Sequence, residues 1–164
     1  MKKILVVFIF VFSTFISCTE EITTYYLIRH AEKNRTDTIN RNPNLNEEGL
    51  ERAKKWADYF KDIKLDAVYS TKYNRTIQTA KPTSDSKSLE ILTYNPRNMY
   101  DSIFQKSTKG KTVLVVGHSN TTPFFANKIL GKEKYKQMDD RDNASLYIVT
   151  IKGKKKTTTI EKVE

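Results

Sequence analysis

A chain of 164 residues, 38% hydrophobic and 11% aromatic, has apolar material for one ordinary core and is too short for a second domain of similar size. Its formal charge of +10 favours anionic partners without choosing among nucleic acid, lipid head groups and phosphate esters. A single cysteine excludes an internal disulfide.

Met1-Lys2-Lys3 is followed by thirteen uncharged, almost wholly apolar residues, Ile4 to Ile16, the pattern of a secretory signal peptide. The run falls short of the roughly 20 residues that a spanning helix needs. It ends at Phe15-Ile16-Ser17-Cys18, which resembles a bacterial lipoprotein signal, with Phe15 standing where leucine is most usual. That resemblance implies that Cys18 becomes the lipidated N-terminus of an exported bacterial lipoprotein, periplasmic or associated with the outer membrane. Thr19 resembles the residue found after the cysteine in lipoproteins moved to the outer membrane. An uncleaved anchor, and a plain secretory signal with a chance cysteine, are the alternatives. The expected division is a signal peptide over residues 1–17, a lipidated tether over 18–22 and one folded domain over 23–164. Removing the signal takes Lys2 and Lys3 and no acid from the 29 basic and 19 acidic side chains, so the mature chain stays basic. The lysines are scattered along it. Their densest group, Lys152 to Lys156 around Gly153, reads as a solvated hairpin turn and not as a nucleic-acid site.

The first strand is expected from Thr23 to Ile28, inside Tyr25-Tyr26-Leu27-Ile28-Arg29-His30, because a short apolar run closed by polar residues reads as a buried strand. A polar loop rich in Asn, Arg and Thr follows from Ala31 to Leu45. Loops of about 15 residues are uncommon in compact domains and often functional, so this one is expected to overhang His30. Asn46 can cap the next helix, with Glu47 and Glu48 at its positive end, and Leu50, Ala53, Trp56, Ala57 and Phe60 recur at helical spacing as its buried stripe. Next come a strand over Asp66 to Tyr69, a helix from near Tyr73 to about Ala80, before Pro82, a strand over Leu89 to Leu92 and a helix over Arg97 to Lys106. Thr112 to Val116 reads as the central strand. The helix after it is expected from Pro123, which suits a first turn, to a stop at Gly131. Ser145 to Ile151 and Thr157 to Val163 read as a terminal hairpin. The alternation predicts an α/β fold: one three-layer α/β/α domain, its sheet mostly parallel with an antiparallel terminal strand.

In parallel α/β sheets ligands bind beyond the carboxyl ends of strands, and the chemistry-bearing residues gather at three such ends. Arg29-His30-Ala31 follows the first strand, Ser70-Thr71-Lys72-Tyr73-Asn74-Arg75 the second, and Gly117-His118-Ser119-Asn120 the central one. These hold both histidines of the chain. A phosphoryl group in transfer spreads negative charge over its equatorial oxygens, so catalysis is mainly positioning and cations aimed at those oxygens. Arg29 and Arg75 can supply planar guanidinium forks. An imidazole beside two arginines has its protonated form disfavoured, which suits His30 as a nucleophile attacking phosphorus in line to give a phosphohistidine that water later hydrolyses. His118 would then donate to the equatorial oxygens, helped by Ser119.

The ordered set of Arg29-His30, Leu45-Asn46-Glu47-Glu48-Gly49, Tyr69-Ser70 with Arg75-Thr76 and Thr79-Ala80, and Val116-Gly117-His118-Ser119-Asn120 resembles the histidine phosphatase superfamily, also called phosphoglycerate mutase-like. The resemblance runs from Tyr25 to about Ile151. It implies that Arg29, His30, Arg75 and His118 form the phosphate pocket, that His30 is the residue phosphorylated, and that the activity is hydrolysis of a small phosphate ester without cofactor or metal. Two histidines among arginines with no carboxylate motif also make a poor divalent-cation site. Asn120 and Asn34 are weaker candidates for the rim, and a turn cap is the simpler role for Asn34. The competing reading is an unrelated α/β protein whose histidines fill core or surface positions.

One feature departs from the family pattern. Many members place a proton-donating glutamate after the second arginine motif, whereas this stretch reads Leu89-Glu90-Ile91-Leu92-Thr93-Tyr94-Asn95-Pro96-Arg97. Glu90 falls inside the expected strand, and Asn95 at its exit cannot act as an acid. Glu32, Asp101 or another carboxylate takes the role, or the substrate's leaving group needs little help, as in small members that act on phosphohistidine. Two further readings stay open: a phosphate-ligand-binding lipoprotein of the same fold with weak catalysis, and a mutase-like phosphotransferase. Only about 36 residues separate Arg75 from the central strand, so any cap over the pocket is small, which suits a phosphatase open to water. Lys33, Lys72 and Tyr94 are candidates to set substrate preference.

Overall fold

The computed structural model describes residues 21–164; the expected signal peptide, Cys18 and Thr19 lie outside the described residues. Among the described residues no helix is long and apolar enough to cross a membrane.

Six strands form one sheet: β1 (Ile22–Arg29), β2 (Ala67–Ser70), β3 (Ile91–Thr93), β4 (Thr112–Gly117), β5 (Ser145–Lys152) and β6 (Lys155–Lys162), in the order β3-β2-β4-β1-β5-β6. The first four are parallel, and β5 runs antiparallel to both β1 and β6. Helices α1 (Glu47–Phe60), α2 (Asn74–Ser86), α3 (Ser102–Thr108) and α4 (Thr121–Leu130) cover the two faces. Strand β4 shows why the layers form. Successive side chains point to opposite faces: Val113 and Val115 pack with Phe104 of α3 and with Phe125 and Ile129 of α4, while Leu114 and Val116 pack with Trp56 and Phe60 of α1 and Ala80 of α2. A strand covered on both faces reads as an unbroken apolar run, which is how Thr112 to Val116 looks in the sequence. The sheet and both cores are built from residues 21–164.

Asn46 caps α1 as expected, its Oδ1 accepting from the Gly49 amide at 2.8 Å. Ala53, Trp56 and Phe60 are buried, but Leu50 is 46% exposed and Ala57 only half-buried. The helix is rotated because Gly49, not Leu50, faces the body of the protein. A Cβ at Gly49 would stand 2.1 Å from the Glu32 carbonyl oxygen, so glycine lets α1 press on the backbone that leaves His30.

Other boundaries shift for identifiable reasons. Helix α2 continues through Pro82 to Ser86; a proline inside a helix normally breaks it, and here the burial of Ala80, Thr83 and Ser84 holds the last turns in place. Helix α3 starts at Ser102 because Asp101 caps it, accepting from the Phe104 amide at 2.8 Å. Asn95 accepts from the Arg97 amide, which makes a turn where a helix was expected. Strand β3 begins after Glu90, and Glu90 is exposed. Helix α4 begins at Thr121, leaving Pro123 in its first turn, and ends at Gly131 with φ 73°, the left-handed cap that favours glycine. The 31–45 loop is tied across its base by one antiparallel bridge between Lys33 and Leu45.

Candidate active site

Register builds the site. Arg29 on β1 is level with Gly117 on β4, and Ser70 on β2 with Val116 on β4, so His30, Thr71 and His118 leave three adjacent parallel strands at one height. The His30 amide donates to the Gly117 carbonyl at 2.9 Å, extending the ladder by one residue. The Thr122 hydroxyl of α4 donates to the Ile28 carbonyl at 3.1 Å. A Cβ at Gly117 would lie 2.8 to 3.0 Å from the hydroxyl oxygens of Thr121, Tyr94 and Thr122, so glycine is what lets the first turn of α4 close against the strand end. The imidazoles of His30 and His118, 88 positions apart in the chain, end with ring centroids 5.5 Å apart.

His30 is 3% exposed. Its Nδ1 lies 2.7 Å from the Ala31 carbonyl oxygen, which can only accept, so Nδ1 carries the proton and Nε2 keeps its lone pair. The backbone around it is pinned: Asn143 Nδ2 donates to the His30 carbonyl at 2.7 Å, and the Ala31 amide donates to Thr79 Oγ1 at 2.9 Å. Burial pushes the His30 imidazole down to about 3, with the charges of Arg29, Arg75 and His118 adding to it and the Ala31 hydrogen bond opposing. At neutral pH the ring is therefore an uncharged base.

His118 has the complementary tautomer. Arg75 Nη2 approaches its Nδ1 at 3.5 Å, and because guanidinium only donates, Nε2 bears the proton and donates to Thr71 Oγ1 at 3.0 Å. Thr71 is 2.9 Å from Thr76 Oγ1, which ties the ring into α2. Burial, then Arg75, Arg29 and Lys33, lower the His118 imidazole to about 4. The edge of Tyr73 lies against His118 at 5.2 Å, and the same ring carries the Arg75 guanidinium at 4.4 Å.

The two arginines differ. Arg75 has buried Nε and Nη1 atoms with no partner in the protein; unpaired buried donors cost about 1–3 kcal/mol each, and an oxyanion beside the histidines relieves that cost. Arg29 is fully buried and half committed: Nη2 meets Asp140 Oδ1 at 2.8 Å, and Nη1 lies 3.4 Å from the carbonyl oxygens of Asp139 and Asp142. Asp140 also holds Arg35 at 2.8 Å. Burial works to raise the Asp140 carboxyl, but the Arg35 hydrogen bond and the charges of Arg29, Arg35 and Lys33 outweigh it and hold the group deprotonated.

Sequence reading gave Asp140 and Asn143 no role. Their signal was present, since Asp139-Asp140-Arg141-Asp142-Asn143 immediately precedes β5, and a strand antiparallel to β1 begins at the catalytic edge. Thr71, Tyr73 and Thr79 lie within the motif quoted for Arg75, without an assigned part. Of the expected rim residues, Ser119 is half-buried beside His118, its carbonyl accepting from Met138. The Asn120 side chain is spent on capping α4 through the Thr121 amide at 2.9 Å, and Asn34 caps a turn through Thr36. Tyr94 is buried in the core against Phe125, with its hydroxyl oxygen toward Gly117. Lys72 is exposed. Lys33 borders the site, its ammonium lowered by burial and then by Arg75 and Arg35, and it lines a groove of about 560 Å³ with Glu32, Arg35, Arg141 and Asn143.

Among the described residues no carboxylate stands ready as a proton donor. Glu32 pairs with Arg52 at 2.6 Å, Asp101 caps α3, Glu90 is exposed at the far end of β3, and Asp140 is held ionised by arginines. Among the described residues no three His, Cys, Asp or Glu side chains cluster as a metal site.

The family model described as histidine phosphatase superfamily (branch 1) matches residues 25–95, the stretch that holds Arg29, His30 and Arg75. Over that stretch the chain is similar to the histidine phosphatase superfamily. Solved structures of like fold are matched over nearly their whole length. A candidate phosphohistidine phosphatase SixA from Agrobacterium tumefaciens is 18% identical with a TM-score of 0.64, covering 85% of this chain and 97% of that one. A protein histidine phosphatase SixA in complex with tungstate is 13% identical with a TM-score of 0.63, covering 85% and 96%. A phosphoglycerate mutase from Bacillus anthracis is 17% identical with a TM-score of 0.62, covering 88% and 93%. A search of curated proteins by sequence finds no significant match. Because the mutase is also matched over almost its full length, chain size does not by itself separate hydrolysis from phosphoryl transfer in this fold.

Proposed function

We propose that the chain is a phosphatase that hydrolyses small phosphorylated substrates through a phosphohistidine on His30. The observation that carries this is the locked tautomer: Nδ1 bonded to the Ala31 carbonyl at 2.7 Å leaves Nε2 as the one nucleophilic nitrogen of a buried, neutral ring beside Arg75, whose Nε and Nη1 lack partners. The phosphoryl group bonds to Nε2 as the leaving oxygen or nitrogen departs. Arg29, Arg75 and the His118 Nε2–H, turned from Thr71, neutralise the equatorial oxygens, and water then attacks phosphorus to release inorganic phosphate. The lack of a poised carboxylic acid favours leaving groups that depart without one: phosphohistidine, where a protonated imidazole leaves, and aryl or acyl phosphates. The SixA structures of like fold agree with that preference.

Incubation with an aryl phosphate tests the proposal. The wild-type chain is expected to turn over and to accumulate an acid-labile, base-stable phosphoenzyme, and His30→Ala to lose turnover by on the order of a thousandfold or more. Tight phosphate binding without turnover in the wild type would show the binding-protein alternative. Export as a lipoprotein belongs to the same proposal, supported by the Ile4–Ile16 run and Cys18. Cys18→Ser is expected to release the protein from membranes or stall its maturation, and unchanged attachment through a cleaved N-terminus would refute the lipid.

A further inference from the structure

The two edges of the sheet differ in their cations: the catalytic edge carries arginines together with Lys33 and Lys72, and the other carries lysine alone. At the amino ends of the parallel strands, the α1–β2 connection brings Lys61 and Lys64, the α2–β3 connection Lys87, the α3–β4 connection Lys109 and Lys111, and the β5–β6 turn Lys152, Lys154 and Lys155. All are exposed except the half-buried Lys87. The acids on these connections are Asp62, Asp66 and Glu90, joined by Glu21 where the described chain starts; Asp66 is engaged by the Thr112 amide and Glu21 pairs with Lys109 at 2.7 Å. No arginine lies there. Arg29, Arg35, Arg41, Arg75, Arg97 and Arg141 all stand at the opposite, catalytic edge, leaving only Arg52, on α1. Lysines scattered in sequence thus meet in space because the returns to the parallel strands β2, β3 and β4 end on the same side, where the antiparallel β5–β6 hairpin also turns.

The chemistry of the two cations differs in the same sense. Arginine forks onto one phosphate, while lysine is a hydrated point charge on a long stem, suited to the diffuse attraction of a surface bearing many anionic head groups. The exit of the chain points the same way. β1 begins at Ile22 on the lysine edge, and Cys18 precedes Glu21 by three residues, a reach of about 10 Å at full extension. Whatever holds the N-terminus at a bilayer holds this edge against it. The six residues of β4 set the catalytic edge about 20 Å further away.

We propose that the lysine edge docks on an anionic lipid surface and turns the phosphate pocket to the aqueous side. This goes beyond the phosphatase proposal and does not depend on it. The test uses the chain from Thr19, which keeps the whole sheet and both cores and lacks the apolar run and Cys18. It is expected to sediment with vesicles of phosphatidylglycerol and phosphatidylcholine in equal parts, not with phosphatidylcholine alone, and to be released by salt. Replacing Lys152, Lys154 and Lys155 together by Gln lowers the partition coefficient about a hundredfold. Replacing Lys54, Lys55 and Lys81 by Gln, on the middle turns of α1 and α2, removes the same charge and changes it by less than about threefold. Equal loss in both triple variants would show attraction by net charge alone and overturn the proposal. Absence of binding to the anionic vesicles, or retention of a nucleic-acid duplex in place of them, overturns it too.

Discussion

His30 combines two roles that usually conflict, since a buried histidine needs a partner to satisfy its ring and a nucleophile needs a free nitrogen. The bond from Nδ1 to the Ala31 carbonyl resolves the conflict by spending one nitrogen. Its neutrality has a measurable cost. The imidazole titrates near 6.5 in the unfolded chain and at about 3 in the folded one, so between those values the unfolded state binds the extra proton, and stability falls as pH drops from about 6.5 toward 3. From pH 7 to 5, a window above the titration of ordinary carboxyls, the loss from this one ring is about 2 kcal/mol. Urea denaturation of wild type and His30→Ala at the two pH values measures it: the variant is expected to lose about that much less. Equal losses would mean that the ring is protonated, or solvated, in the native state.

At the scale of elements, α1 is the part whose position most directly sets the backbone after His30, because Gly49 touches the Glu32 carbonyl and Asn46 donates its amide to the same oxygen at 3.0 Å. Gly49→Ala places a methyl 2.1 Å from backbone, which no rotamer change relieves. The expected cost is about 1–3 kcal/mol, read as a fall in melting temperature of roughly 2–4 °C per kcal/mol for a chain of this size, together with reduced turnover as the Ala31–Glu32 segment moves. A Gly49→Ala variant as stable and active as wild type would refute the contact. The same contact explains where sequence reading succeeded and failed. Period and capping rules found α1, but a five-residue apolar stripe could not show that a glycine, carrying no hydrophobic signal, would take the inner face from Leu50. The pairing of His30 with His118 was legible because both end apolar strands, and so were Arg29 and Arg75, because motif and charge coincide. Asp140 and Asn143 carried only a positional signal, the start of β5 at the catalytic edge; they lie on irregular backbone between α4 and β5, where periodicity does not single out a residue that reaches across the sheet.

For the whole molecule, opposite edges mean opposite neighbours. If the lysine edge rests on lipid, phosphate esters anchored in that membrane face the wrong side of the sheet. The protein displayed on anionic vesicles is expected to hydrolyse a soluble aryl phosphate at its solution rate and to leave a lipid phosphate in the same vesicles largely untouched; equal rates on both would place the pocket toward the bilayer. The topology also governs assembly. β1, among the earliest described residues, pairs only with β4 and β5, and Asn143 reaches back to grip the His30 carbonyl. A growing polypeptide therefore leaves β1 waiting, unpaired on both sides, until more than eighty further amino acids have been joined. The nucleophile is armed only after Asn143 has been joined, so a stalled nascent chain ending before β5 carries the motif without the reactivity.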